Sequence, residues 1–288
     1  MMAAGFVLAK LKKINGSGIK QMTTVLLWIV TPCVIINAFI QYTYTAERLS
    51  SMLWIGAAAL IMHFTGFFIS LFLFKRQPQK TKSVLRFGIT FSNCGFMGIP
   101  LAQAVFGETG VFYASFFVVV FNIITWTLGV AIYGQKLNFK NAVLNPGVIG
   151  FLIALPIFFF KIAVPGVIAK PIGYFADLNS PLAMLVTGAI LASVSLKLTK
   201  SDFKIFAVCA VRLIAVPIIS ISIMMILNMP KELLCISALP ISAPTASNTS
   251  LFAVMFDSDA VTASRLVALC NILCIFTMPL IFAAASVL

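Results

Sequence analysis

The sequence predicts an all-α polytopic membrane protein arranged as a ten-helix inverted repeat, five helices followed by five. Three observations predict it. The chain is 61% hydrophobic and 9% charged, with a mean hydropathy of +1.09, far outside the range of soluble domains. Its basic residues fall in short segments that alternate between dense and sparse along the chain. Two otherwise apolar segments, one in each half, are interrupted by Asn, Gly and Pro.

The elements follow in order. A bilayer core demands roughly 20 apolar residues per helix. Charge-free runs able to supply them lie at 21–46, 49–74, 87–107, 109–135, 141–160, 178–196, 213–230, 233–256 and 266–288. The run at 213–230 is expected to begin near Ile205, which places Arg212 inside or near the membrane. Met1–Ala9 is apolar but covers only about half of a hydrocarbon core at 1.5 Å per residue. It reads as the tail of a tenth span, a truncated or abbreviated first helix.

Charge sets the orientation. Counting that first piece, Lys10, Lys12, Lys13, Lys20, Lys75, Arg76, Lys80, Lys82, Arg86, Lys136, Lys140, Lys197, Lys200 and Lys204 fall on one side. Arg48, Lys161, Lys170 and Lys231 fall on the other. Fourteen against four is a strong positive-inside bias, which puts the first set in the cytoplasm and both termini outside the cell (plasma) membrane. Acidic Asp257 and Asp259, in the last cytoplasmic loop, weigh little in that rule. Five spans per half make the halves point in opposite directions, with repeats at 1–138 and 139–288. Internal similarity supports them: Phe106-Gly-Glu-Thr follows the first interruption and Phe256-Asp-Ser-Asp the second, and each leads into a span carrying one asparagine, Asn122 or Asn271.

The net charge of +13 would suggest a nucleic-acid partner in a soluble chain, but these basic residues sit in short loops and set topology. No polar domain exists to hold nucleic acid. The six cysteines lie in apolar segments without metal-ligand spacing, so neither a zinc site nor a disulfide framework is expected, and no cofactor. Cys270 and Cys274 read as small packing residues. One histidine and no acid in the core of any span argue against an intramembrane enzyme, which needs a nucleophile–base pair or a metal cluster.

The two interruptions carry the chemistry. They are Ser92-Asn93-Cys94-Gly95-Phe96-Met97-Gly98-Ile99-Pro100 and Pro240-Ile241-Ser242-Ala243-Pro244-Thr245-Ala246-Ser247-Asn248. Unpaired backbone groups in hydrocarbon each cost several kcal/mol, so a broken helix persists only where protein or a wet cavity satisfies it. A matching pair of broken helices is the best sequence pointer to a transporter's substrate site. Gly95 and Gly98 release the backbone from helical geometry, and Pro100 and Pro244 remove donors that would need partners. Asn93 and Asn248 offer donors and acceptors without a buried charge. The exposed half-helix N-termini attract anions. Ser92, Thr245, Ser247, Asn122 and Asn271 are second-rank candidates, and for the last two plain interhelical hydrogen bonding competes.

These residues resemble a known family. Phe91-Ser-Asn-Cys-Gly-Phe-Met-Gly-Ile-Pro-Leu101 is similar to the fourth-helix motif of the auxin efflux carriers, and Ala243-Pro-Thr-Ala-Ser-Asn-Thr-Ser-Leu-Phe-Ala253 to the ninth-helix motif of their bacterial members. Asn145-Pro146, Pro181-Leu-Ala-Met with Gly188-Ala-Ile-Leu-Ala192, and Ala263-Ser-Arg265 follow the same pattern, so the resemblance runs the length of the chain. The short start departs from it. The resemblance implies a fold related to the bile acid sodium symporters. Helices 1, 2, 6 and 7 would form a scaffold, 3–5 and 8–10 a transport unit, and helices 4 and 9 would cross at their breaks. It implies elevator-type transport of a small organic anion such as a mono- or dicarboxylate or an auxin-like acid, as in malate permease-like members, and a possible homodimer in the lipid bilayer. A cation-coupled carrier, a channel and a sensor of the same fold are the alternatives.

Two polar residues fall outside this scheme. His63 reads as a packed histidine more than a proton relay, having no acid in its span. Arg212 is expected to snorkel toward the cytoplasmic surface, with a countercharge role for an anion or pairing with Asp257 or Asp259 as the alternatives. A sodium site built on a buried carboxylate is not supported, although backbone carbonyls at the breaks could hold a cation. Export of an anion driven by the membrane potential fits, gaining about 2.3 kcal/mol per charge per 100 mV.

Overall fold

The computed structural model describes residues 1–136, 143–193 and 203–287. Its regular elements there are helices, so the all-α polytopic architecture is borne out. The expected boundary between repeats at 138/139, together with Lys140, Lys197 and Lys200, lies outside the described residues.

Twelve helical segments follow one another among the described residues. Helix α1 is Met2–Lys10, α2 is Gly16–Ile40, α3 is Ala46–Phe72, α4 is Gln79–Thr90 and α5 is Cys94–Ile132. Then come α6 (Pro146–Phe160), α7 (Gly166–Asp177), α8 (Asn179–Ser193), α9 (Phe203–Ile226), α10 (Lys231–Ser242), α11 (Asn248–Met255) and α12 (Ala260–Val287). Several starts are written in the sequence. The Asn15, Thr45 and Asn145 side chains each accept a hydrogen bond from the first turn of the helix that follows, and Pro146 occupies the first helical position of α6.

Among the described residues six stretches are long and apolar enough to cross a membrane, against nine charge-free runs in the sequence. The difference has a physical source. Helix α5 is 39 residues long, which at 1.5 Å per residue would reach about 58 Å, nearly twice a hydrocarbon core. It doubles back at Gly107, whose φ of 59° and ψ of −144° no helix contains. On the returning arm Gly110 lies so close to the first that a Cβ would overlap the Ala102 carbonyl. One run of helix therefore holds two passes. The broken passes, α4 with the first arm of α5 and α10 with α11, consist of pieces each too short to span alone. Helix α7 was not foreseen. Lys170 and Pro171 interrupt its apolar pattern, and none of its residues is buried.

The helices pack in two groups. Helices α1, α2, α6, α7 and α8 contact one another, with α2 between α6 and α7 and α1 laid along α8. Gly5 and Gly188 bring α1 and α8 into backbone contact, each standing where a Cβ would strike a carbonyl of the other helix. Helices α3, α4, α5 and α9–α12 form the second group. A seam of aromatic rings, Phe39 with Phe112, Phe151 and Phe158, joins the two.

The start of α4 and the turn before α12 lie together. Lys80 pairs with Asp257 at 2.6 Å, Thr81 donates to Asp259 at 2.8 Å, and Ser258 donates to the Lys80 carbonyl at 2.6 Å. The Lys80 ammonium holds the exposed Asp257 carboxyl below the ordinary carboxylate value. Burial opposes the Asp259 carboxylate, yet bonds from Thr262 and Thr81, with the charge of Lys204, bring its pKa below the ordinary value as well.

Candidate functional site

The chain leaves helical geometry at the first break when Phe91 turns extended, with φ −109° and ψ 127°. It re-enters through a π-helical turn at Cys94–Gly98. At the second break Ala243 (φ −57°, ψ 148°) ends α10, and α11 begins at Asn248. The freed backbone groups satisfy one another across the two halves. The Asn93 N–H donates to the Pro244 carbonyl at 2.7 Å and the Ala246 N–H to the Phe91 carbonyl at 3.0 Å. Ser92 and Thr245 thus face each other as a single antiparallel β-bridge inside a helical protein. This is the solution hydrocarbon demands, since neither segment could be buried there unpaired.

Side chains reinforce the crossing. Thr245 Oγ1 donates to the Gly88 carbonyl at 2.9 Å, and the Thr245 N–H reaches Cys270 Sγ at 3.3 Å. Cys270 is thus an acceptor at the crossing as well as a packing residue, and all six cysteines are free. Asn93 Nδ2 donates to Ser247 Oγ at 3.4 Å, a link from one break to the other.

Beside the crossing lies a cavity of about 250 Å³. Of the residues singled out in the sequence, Ser92, Asn93, Gly95, Asn122, Ser247 and Asn248 line it. Gly98, Pro100, Pro244, Thr245 and Asn271 do not, and each has another place. A Cβ on Gly98 would lie 3.2 Å from Pro240 Cα, so that glycine lets one broken helix rest on the other. Pro100 is buried in the first turn of α5 proper. Pro244 and Thr245 are used up in the bridge. Asn271 donates back to the Val267 carbonyl of its own helix at 2.7 Å, although it was paired with Asn122 by internal similarity.

The cavity also has walls from residues that were not among the candidate site residues. Asn145, Pro146 and Gly147 bring in the start of α6, and Asn179 opens α8. Asn179 is buried with its Nδ2 unpartnered among the described residues. Asn122 presses on the start of α6 so closely that a Cβ on Gly147 would lie 2.6 Å from its Nδ2. Thr31, Trp126, Phe121 and Phe252 complete a largely apolar wall. The signal for Asn145 and Asn179 was present: Asn-Pro and Asn-Ser-Pro each open an apolar run, the mark of a helix N-terminus.

The electrostatics follow from this arrangement. The N-termini of α5, α6 and α11 all border the cavity. Asn145 Oδ1 caps the Gly147 N–H, and the Thr249 and Ser250 N–H groups turn back to the Ala246 and Ser247 carbonyls, so what these ends offer the cavity is chiefly their dipole. Each terminus carries roughly half a positive charge. Among the described residues, none of the lining side chains is acidic or basic. The cavity therefore presents positive dipole ends and neutral amides within apolar walls, a combination suited to a desolvated anion.

The two remaining polar residues lie close by. His63 is fully buried, its Nδ1 2.6 Å from the Ala59 carbonyl and its ring against Phe91, Phe117 and Phe121, as expected of a packed histidine. Arg212 does not snorkel. It is fully buried and donates to the carbonyls of Ile241 and Ala243 at the second break and to Met62 Sδ. Carbonyls freed at depth gave the guanidinium partners that the sequence did not reveal.

A family model described as membrane transport protein matches residues 1–139 and 134–282. An uncharacterized transporter of Methanothermobacter thermautotrophicus is 25% identical over 194 residues, which is 65% of this chain. The chain spans 63% of that relative's length.

Proposed function

The chain belongs to the membrane transport protein family, matched over both halves and resembling its auxin efflux carriers at the two breaks, and from that premise we propose that it is a secondary carrier of a small organic anion. That it is a multi-pass membrane transporter follows from the family and the apolar helices. One observation supports the anion: the N-termini of α5, α6 and α11, with Asn93 and Asn248, meet on one cavity whose lining, among the described residues, holds no charged side chain. A carboxylate there would receive charge-assisted N–H bonds, each contributing about 1.5–3 kcal/mol. The volume, about 250 Å³, lies below the roughly 300–1,000 Å³ of sites for drug-sized ligands. It suits a small mono- or dicarboxylate over a large amphipath.

The two packing groups supply the proposed motion. Helices α3–α5 and α9–α12 carry both breaks and would travel as one body against α1, α2 and α6–α8. Asn145 and Asn179, which meet the cavity from α6 and α8 of the opposing group, would then lose and regain the substrate in each cycle. In this reading the lysine-rich loops face the cytoplasm and both termini lie outside the cell membrane. Uptake of labelled mono- and dicarboxylates into proteoliposomes tests it. Saturable uptake with counterflow, reduced at least tenfold in Asn248→Ala, is the expected result. Uptake of no carboxylate, or unaltered KM and kcat in that variant, would overturn it.

A further inference from the structure

Arg212 is among the largest fully buried side chains of the described residues, and it sits at membrane depth with no acidic partner among them. A charge there is costly and is retained where it pairs or serves a pathway. Lys80 and Asp257 pair with each other, and Arg212 takes no part in that pair. The Arg212 N–H groups go instead to backbone. Nε and Nη2 donate to the Ala243 carbonyl at 3.2 and 3.1 Å, and Nη2 also reaches the Ile241 carbonyl. Helix α10 ends at Ser242, so Ile241 carries one of the last carbonyls that no helical N–H can reach. Ala243, already extended, adds another from the unwound strand. The guanidinium thus caps the negative end of the α10 dipole. A π-helical turn at Val211–Ala215, the kind of local widening frequent at functional positions, carries Arg212 on α9.

Unwound carbonyls and half-helix C-termini are where broken-helix carriers hold their coupling cation. Here that place is filled by the chain itself. We propose that Arg212 is a tethered stand-in for a coupling cation: it holds the second break in shape permanently, transport needs no alkali ion, and loss of the guanidinium leaves a carbonyl site for a small free cation. This rests on the carrier reading only for its word transport. The occupancy of the carbonyl site by the guanidinium is structural. A guanidinium keeps its proton in proteins, so the stand-in never leaves as an ion would. It is a positioning residue, acting through Ile241 and Ala243 on the strand that pairs with Asn93.

Melting of the full chain in detergent tests this without any substrate. Wild type is expected to melt at one temperature in sodium, lithium or choline chloride of equal ionic strength. Arg212→Ala should melt lower in choline chloride and recover by about 3–5 °C with methylguanidinium, less with sodium, and not with tetramethylammonium. Arg212→Lys should stay indifferent to the salt. A sodium-dependent melt or uptake in wild type overturns the proposal, as does an Arg212→Ala melt that responds to no small cation. If Arg212→Ala fails to fold, Arg212→Gln replaces it, and the wild-type comparison of sodium with choline decides in either case. Rescue of melting without uptake of any carboxylate would instead count against the proposed substrate alone.

Discussion

Truncating Asn93 separates a residue that builds the crossing from one that serves a ligand. Asn93 contributes to the crossing mainly through its backbone. Its N–H goes to the Pro244 carbonyl at 2.7 Å, and its own carbonyl accepts from Met97 and Gly98 at 3.1 and 3.3 Å. Asn93→Ala keeps all of these. What is lost within the protein is one side-chain bond to Ser247 Oγ, long at 3.4 Å. Interhelical hydrogen bonds in membranes average about 0.6 kcal/mol, so the melting temperature should fall by only about 1–2 °C. A bound carboxylate would lose a charge-assisted bond of about 1.5–3 kcal/mol, or about 10- to 150-fold in kcat/KM. Thermal melting in detergent and initial uptake rates in liposomes read the two quantities side by side. A variant that melts much lower yet transports with unchanged kcat/KM would refute the reasoning, because Asn93 would then be structural.

Other perturbations follow from the same geometry. Gly147→Ala should displace the Asn122 amide, whose Nδ2 would lie 2.6 Å from the new Cβ, and raise KM several-fold while the melting temperature falls little; an unchanged KM would remove Asn122 from the site. Thr245→Val deletes the hydroxyl that donates to the Gly88 carbonyl at 2.9 Å and leaves that carbonyl buried and unpaired, so stability should drop by about 1–3 kcal/mol in denaturant or thermal unfolding. Gly188→Leu should detach α1 from α8, since even a Cβ would overlap the Met2 carbonyl, and limited proteolysis near Lys10 should accelerate. The pH dependence has a definite sign. Asp257 and Asp259 have depressed pKa values, so their stabilising contribution is complete above the ordinary value of 3.8 and is lost as pH falls below it. The difference in melting temperature between wild type and Asp259→Asn should therefore be present at neutral pH and vanish in acid.

Much of the site was legible because hydrocarbon is so unforgiving. Asn, Gly and Pro within an apolar run signal a backbone that must find partners elsewhere, and both breaks were located residue by residue on that ground. Asn93, Asn248, Ser92, Ser247, Gly95 and Asn122, all candidates in the sequence, line the cavity. The errors came from residues whose roles depend on a neighbour remote in sequence. Arg212 was expected at the surface because Lys204 lies two turns away, whereas its partners, Ile241 and Ala243, come from another helix. Asn271 matched Asn122 in position yet bonds within its own helix, since nothing in the sequence records which face a helix turns to its neighbours. Asn179 was overlooked because α7, which precedes it, was read as loop.

The sequence alone shows that this protein lives in a membrane, where several of its helices begin, and that two of them are broken. Those are local matters of hydrophobic length, capping and backbone donors, and each is settled within about 20 residues. The tertiary structure decided how the broken ends are satisfied: Phe91 and Asn93 with Pro244 and Ala246, and the α10 carbonyls with Arg212. It also decided which helix starts share a cavity. The reason is that an unpaired backbone group specifies only that it needs a partner, and the identity of that partner is fixed by which helices pack together.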